Sequence, residues 1–252
     1  MDIDKIIAEV TQKVLAEVEG KKAQEAKYSV RPDEVAGMLE HSLLNPDTTL
    51  DKIIKGCEEA KKYRFANVVV SPYYVPFAAR ELKDSGIAVC SAVGFPHACA
   101  STAAKVAEIK ECASLGAQEL DVSININAIK SGRIDDARRD LDAMVEAAKG
   151  RVALKAIYEH GLYTPAEKEK ALLIIRSSGV EFCKISNALT GKKAEAEDVK
   201  YVRSILGRGI GIKIDGGVKT LDKAMELFTA GAARIGLSAS VSVAEEAIAA
   251  RK

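Results

Sequence analysis

Three lysines recur at equal intervals, at positions 155, 184 and 213, and each lies inside a short apolar run: VALKAIY, EFCKIS and GIGIKID. A further run, ELDVSI, carries Asp121. An ammonium inside a buried strand is costly unless it is paired or neutralised. One lysine alone would read as a stem snorkelling from a strand end. Three at matched places, with a carboxylate on the preceding run, read as a reactive cluster. Lysine is a nucleophile only as the free amine, and its free pKa is ~10.4. Burial and a second ammonium both push that value down, toward ~7–8 for a working amine. The chemistry implied is Schiff-base formation with a carbonyl substrate. One amine attacks while another keeps it unprotonated.

Such a cluster needs strands to hold it. From about residue 36 a short apolar run, a turn and a longer amphipathic segment alternate. The apolar runs cover 38–44, 65–71, 87–93, 119–124, 152–158, 181–186, 209–215 and 233–238. Helical patterns fill the gaps at 49–62, 74–85, 101–115, 133–149, 165–178, 195–207 and 220–230, and one more spans 240–251. Strand-like runs separated by helices of this length imply a parallel sheet with crossover connections. Eight such units predict an α/β protein, a closed (β/α)8 TIM barrel. The competing doubly wound open sheet would show a glycine-rich turn after its first strand, and LLNPDTT is not one. In the barrel the lysines stand on strands five, six and seven and Asp121 on strand four. Reacting groups in such barrels sit at the C-terminal strand ends. DGGVKT (215–220) and IGLSAS (235–240) follow strands seven and eight. Glycine turns there, opening onto helix starts, suit a phosphate cradle and point to a phosphorylated substrate.

The first 33 residues stand apart. Ile3, Ile6, Ile7, Val10, Val14, Leu15 and Val18 form one stripe on a helix over 1–20. Residues 21–33 read as a polar linker and 34–252 as the barrel domain. The helix has two readings: an element packed on the barrel or at an oligomer contact, or a detachable peptide that docks into a partner's groove.

Composition removes several functions. The 252 residues carry a net charge of +1, with 48% hydrophobic and 29% charged residues, which gives no nucleic-acid or anionic-membrane surface. Tryptophan is absent and aromatics make up 5%, so base-stacking platforms have no support. Five cysteines without a C-x-x-C pair read as reduced thiols in a reducing cytoplasm. Three scattered histidines give no local metal site. No apolar run approaches the ~20 residues of a membrane helix, and the start lacks a signal-peptide layout.

The motifs LEHSLLNPDTT, VCSAVGFPHACAST, GAQELDVSININAIKSG, ALKAIYEHG, EFCKIS, GIKIDGG and ARIGLS stand in the order seen in deoxyribose-phosphate aldolases. The sequence resembles that family from Glu40 to about Ser238. The resemblance implies a TIM barrel and a class I mechanism, free of metal and cofactor. The implied reaction is reversible cleavage of 2-deoxyribose 5-phosphate into acetaldehyde and glyceraldehyde 3-phosphate. By position, Lys184 would be the Schiff-base lysine and Lys213 the lysine that depresses its pKa. Asp121 would move protons through a water, with Lys155 nearby. Gly216, Gly217, Gly236 and Ser238 would hold the phosphate, and Ser186 would line the substrate side. A homo-oligomer, a dimer, is also implied. The N-terminal helix and linker resemble the encapsulation peptides of bacterial microcompartment cargo, which implies a shell-protein partner for residues 1–20 and a place inside such a compartment in the cytoplasm.

The departures bear on the substrate. The family usually reads K-T-S-T-G where this chain has Lys184-Ile185-Ser186-Asn187-Ala188, and K-A-S-G-G where it has Lys213-Ile214-Asp215-Gly216-Gly217. Ser71, His160 and Ala239 stand where asparagine, threonine and serine are usual. Asp215 places a carboxylate where a phosphate dianion would sit. Two alternatives therefore stay open. One is a related class I aldolase with a different acceptor aldehyde or sugar phosphate. The other is a degenerate barrel that binds without turnover.

Overall fold

A computed structural model describes residues 30–250. Eight parallel strands close into one barrel in sequence order. They are β1 (Leu39–Leu43), β2 (Asn67–Val70), β3 (Ala88–Val93), β4 (Glu119–Ser123), β5 (Ala153–Glu159), β6 (Phe182–Ser186), β7 (Gly211–Asp215) and β8 (Arg234–Leu237), and β8 pairs back onto β1. Seven crossover helices alternate with them, at Leu50–Tyr63, Val75–Glu81, Thr102–Ser114, Ile134–Ala148, Pro165–Ser178, Ala196–Leu206 and Leu221–Thr229, and Ser240–Ala249 follows β8. The expected TIM barrel is therefore observed. No described helix is long and apolar enough to cross a membrane.

Local chemistry sets the helix ends. Thr164 and Glu167 form a reciprocal capping box around Pro165, and Gly179 closes the same helix at φ 89°. Two elements depart from the sequence reading. Asn125 caps a five-residue helix, Ile126–Lys130, inside the loop after β4. Pro32–Val35 forms a helical turn, so regular structure starts inside the segment read as linker. Proline at the first helical position and Asp33 and Glu34 in the first turn explain it. The helix expected over 1–20 lies outside the described residues.

Strand alternation divides the molecule into two interiors. Leu39, Val68, Val70, Val89, Leu120, Val122, Leu154, Cys183, Ile185, Ile212, Ile214 and Ile235 join the apolar core shared with the helices. Their neighbours turn into the barrel. Branched aliphatics usually fill that space in layers. Here its middle is charged: Glu40, Asp121, Lys155, Lys184 and Lys213 are all fully buried.

Candidate active site

The register explains how five charges meet. Lys184 is level with Lys213 on β7, but on β5 it is level with Ile157, two residues beyond Lys155. Lys155 is level with Asp121. The lysines thus converge from two heights rather than one. The Lys184 Nζ donates to Asp121 Oδ2 at 2.8 Å, and Lys213 Nζ donates to the same oxygen at 2.7 Å. Lys213 also donates to Glu40 Oε2 at 2.5 Å. Lys155 Nζ lies 2.5 Å from Glu119 Oε2, 3.4 Å from Asp121 Oδ1 and 3.5 Å from Glu40 Oε1. Asn67 Nδ2 on β2 also donates to Glu119 at 2.7 Å. Above the cluster, Phe95 on the loop after β3 places its ring 5.2 Å from Lys184 Nζ. Phe95 is set by its neighbours. Gly94 donates to Glu108, and a Cβ on Gly94 would meet Lys105 Cδ at 2.9 Å. Lys105 is itself buried and paired with Asp140 at 2.5 Å.

Glu40, Cys90 and Glu119 are the described residues close enough together to hold a metal ion. The cation they surround is the Lys155 ammonium, which also donates to Cys90 Sγ at 3.3 Å.

The electrostatics correct one expectation. Burial pushes the Lys184 amine down, and Lys213 adds to that, as the sequence suggested. The carboxylates of Asp121 and Asp215 outweigh both, so Lys184 is held above its ordinary value of 10.5 and stands as an ammonium. Lys155 and Lys213 are likewise raised, despite burial, by the surrounding acids. Burial pushes Asp121 up, but Lys184, Lys213 and Lys155 hold it well below the usual carboxylate range. Glu40 is also lowered: Lys155 and Lys213 overcome its burial. The acids of β4 and β7 are too close for a neutral resting amine.

The mouth of the barrel is formed by the C-terminal strand ends. Asp215 Oδ2 lies 2.7 Å from Lys184 Nζ and keeps 17% of its side chain exposed. Its other oxygen lies over Gly236, where a Cβ would meet Asp215 Oδ1 at 2.4 Å and Lys213 Cε at 3.0 Å. Gly236 is therefore a space-making residue. The Gly216 N–H, expected to be free for an anion, donates to the Gly236 carbonyl at 3.1 Å. Gly217 and Ser238 are exposed at the same mouth. Gly217 adopts φ 83° against the stem of Lys193. Ser186, expected on the substrate side, donates its hydroxyl to Glu159 and accepts from the Ala188 N–H at 3.2 Å. Glu159 also accepts from the Leu189 N–H at 3.3 Å, so this pair fixes the turn after β6.

The sequence matches the DeoC/LacD family aldolase over residues 19–240. The chain belongs to the DeoC/LacD aldolase family. It is 42% identical over 208 residues to a deoxyribose-phosphate aldolase of Staphylococcus carnosus, covering 82% of this chain and 94% of that one. A putative deoxyribose-phosphate aldolase of Coccidioides immitis superposes with a TM-score of 0.83 at 31% identity, covering 86% and 87% of the two chains. A tetrameric deoxyribose phosphate aldolase of Aeropyrum pernix gives 0.81 at 27% identity, covering 88% and 94%.

As a DeoC/LacD aldolase, the chain brings Lys155, Lys184, Lys213 and Asp121 into one network, and Gly216, Gly217, Gly236 and Ser238 to one rim. Sequence reasoning overlooked Glu40 as a member of the buried set. Its signal was present: in LEHSL a charged residue alternates with the core-facing Leu39, as each lysine does in its own strand. It also overlooked Glu159, Phe95 and the contact between Asp215 and Lys184.

Proposed function

We propose that this aldolase works through a Schiff base on Lys184, cleaving 2-deoxyribose 5-phosphate reversibly into acetaldehyde and glyceraldehyde 3-phosphate. The observation that carries the reading is the Lys184 Nζ, which meets Asp121 and Lys213 inside the barrel and Asp215 at its mouth. The deoxyribose-phosphate aldolase that is 42% identical supports the substrate. Lys184 attacks the carbonyl to give an iminium, and loss of a proton or of the acceptor aldehyde from that iminium gives the enamine. Asp121 and Lys213 handle protons at the reacting carbons, and Lys155 orients Asp121. Gly217 and Ser238 receive the phosphate, while Gly216 and Gly236 shape the rim. We also propose a homo-oligomer, a dimer, and for residues 1–20 the role of a peptide that carries the 34–252 domain to a microcompartment shell in the cytoplasm. The apolar stripe on that segment supports it.

A second reading keeps the reaction and changes the acceptor. It is favoured by the Asp215 carboxylate packed over Gly236, since like charge there disfavours a phosphate dianion. The test is borohydride trapping with acetaldehyde, followed by mapping of the adduct, alongside cleavage of 2-deoxyribose 5-phosphate and of 2-deoxyribose. The expected result is one adduct on Lys184, its loss in Lys184→Ala, and faster turnover of the phosphorylated sugar. Labelling of another residue overturns the assignment. Turnover of only the unphosphorylated sugar favours the second reading. A folded protein with neither adduct nor turnover is a degenerate barrel.

A further inference from the structure

We propose that Asp215 is a further catalytic residue, the carboxylate that takes the proton from the Lys184 ammonium and returns it to the carbinolamine hydroxyl. The proposal rests on the Schiff-base reading above. The resting Lys184 carries a proton that must leave before the nitrogen can attack. Two carboxylates reach it, Asp121 Oδ2 at 2.8 Å and Asp215 Oδ2 at 2.7 Å. Among the described residues no other carboxylate pairs with Lys184, and the Phe95 ring 5.2 Å from its Nζ offers no site for a proton.

Charge distribution separates the two acids. The Asp121 oxygen that touches Lys184 also holds Lys213 at 2.7 Å, and its other oxygen faces Lys155 at 3.4 Å. A proton placed on Asp121 would take from Lys213 one of its two carboxylates and leave it facing Glu40 alone, while Lys155 would keep Glu40 and Glu119. Asp215 lies in ion-pair contact with Lys184 and retains access to solvent. A proton placed there leaves Lys155 and Lys213 against Glu40 and Asp121, two buried charges of each sign. Transfer to Asp215 therefore discharges the nucleophile and balances the interior in one step.

The cycle closes on itself. The ammonium gives its proton to Asp215, and the nitrogen lone pair forms the N–C bond as the carbonyl π pair moves to oxygen. The attached nitrogen then passes one of its protons to that oxygen, which gives the neutral carbinolamine. The Asp215 carboxylic acid protonates the hydroxyl, water leaves, and the nitrogen lone pair closes the iminium. One water is released and Asp215 ends as it began, a carboxylate.

The test is the rate of borohydride-trapped adduct formation with acetaldehyde, from pH 5 to 9, in wild type, Asp215→Asn, Asp215→Ser and Asp215→Ala. Removing the carboxylate lowers the Lys184 pKa, so each profile moves toward acid. The maximum rate is expected to fall roughly 10²–10⁴-fold, the range for loss of a general acid–base group. Added formate is expected to restore the Asp215→Ala rate in proportion to its concentration. The same thermal melt as wild type in any one variant qualifies it for the comparison, and removal of a half-buried rim carboxylate leaves the buried set in place. An unchanged or higher maximum with only the acid shift makes Asp215 a counter-ion and overturns the proposal. Wild-type labelling away from Lys184 would instead refute the Schiff-base reading.

Discussion

Glu40→Gln tests the charge balance of the barrel interior most directly. The change is isosteric and removes one of the two carboxylates that are fully buried with three ammoniums. Glu40 sits 2.5 Å from Lys213 and 3.5 Å from Lys155. Breaking a buried pair from one side costs about 3–5 kcal/mol, because the remaining charge is left uncompensated. The relief route gives a similar figure. A lysine can shed its proton at about 1.4 kcal/mol for each pH unit below its free value of ~10.4, which is about 4.6 kcal/mol at pH 7. For a barrel of this size each kcal/mol moves Tm by about 2–4 °C, so a drop of roughly 6–20 °C is expected. The pH dependence carries the sign. Glu40 is held below its ordinary value of 4.5, so its stabilisation is complete above that pH and is lost as pH falls through its folded-state value. The gap between wild type and variant should be large at pH 7 and shrink below pH 4.5. It should also narrow toward alkaline pH as lysine deprotonation becomes easier. Thermal and denaturant unfolding across pH measure both limbs. Equal stability at pH 7, or a gap that does not change with pH, would refute the reasoning.

Two further outcomes are expected, one from the geometry of the rim and one from the sequence of residues 1–20. Gly236→Ala inserts a Cβ 2.4 Å from Asp215 Oδ1 and 3.0 Å from Lys213 Cε, so it should slow adduct formation about 10²-fold while the melt shifts by less than for Glu40→Gln, a comparison read from trapping rates and Tm together. Deleting residues 1–20 should leave trapping at Lys184 and a sedimenting dimer intact while abolishing co-purification with shell protein; loss of folding or of the dimer would make that segment structural.

The fold was legible because the apolar runs and helical patterns kept their order, and every strand lies within or beside the run assigned to it. The observed helix Leu50–Tyr63, for instance, is one residue from the expected 49–62. The lysines were legible for a local reason, since a charge breaks an apolar run visibly. Glu40 breaks one equally, but His41 and Ser42 follow it and dilute the contrast. The protonation of Lys184 was not legible. It depends on distances across the barrel, from β6 to β4 and β7, and a sequence shows that two lysines converge without showing that more acids than amines converge with them. Ser186 illustrates the same limit. Its position was read correctly, and its hydroxyl is committed to Glu159, a partner 27 positions away.

The charges also have a direction. Glu119 stands near the start of β4 with 19% of its side chain exposed, and Asp215 ends β7 with 17% exposed. Between them run Lys155, Glu40 with Asp121, then Lys213 with Lys184, all sealed from solvent. Acids and amines alternate along this line, so each of its three ammoniums touches at least two carboxylates. A buried network of this kind is stable only while each member keeps its partners. Chemistry on Lys184 must therefore exchange charge at the one end where the nucleophile meets a group open to solvent. That end is Asp215, on the rim where a substrate would arrive. The position that weakens the case for a phosphate dianion is thus the position best placed to discharge the nucleophile. Comparing Asp215→Ser for trapping rate and for preference between 2-deoxyribose 5-phosphate and 2-deoxyribose separates the two effects: the trapping rate falls with loss of the proton acceptor, while the preference shifts toward the phosphorylated sugar with loss of the charge.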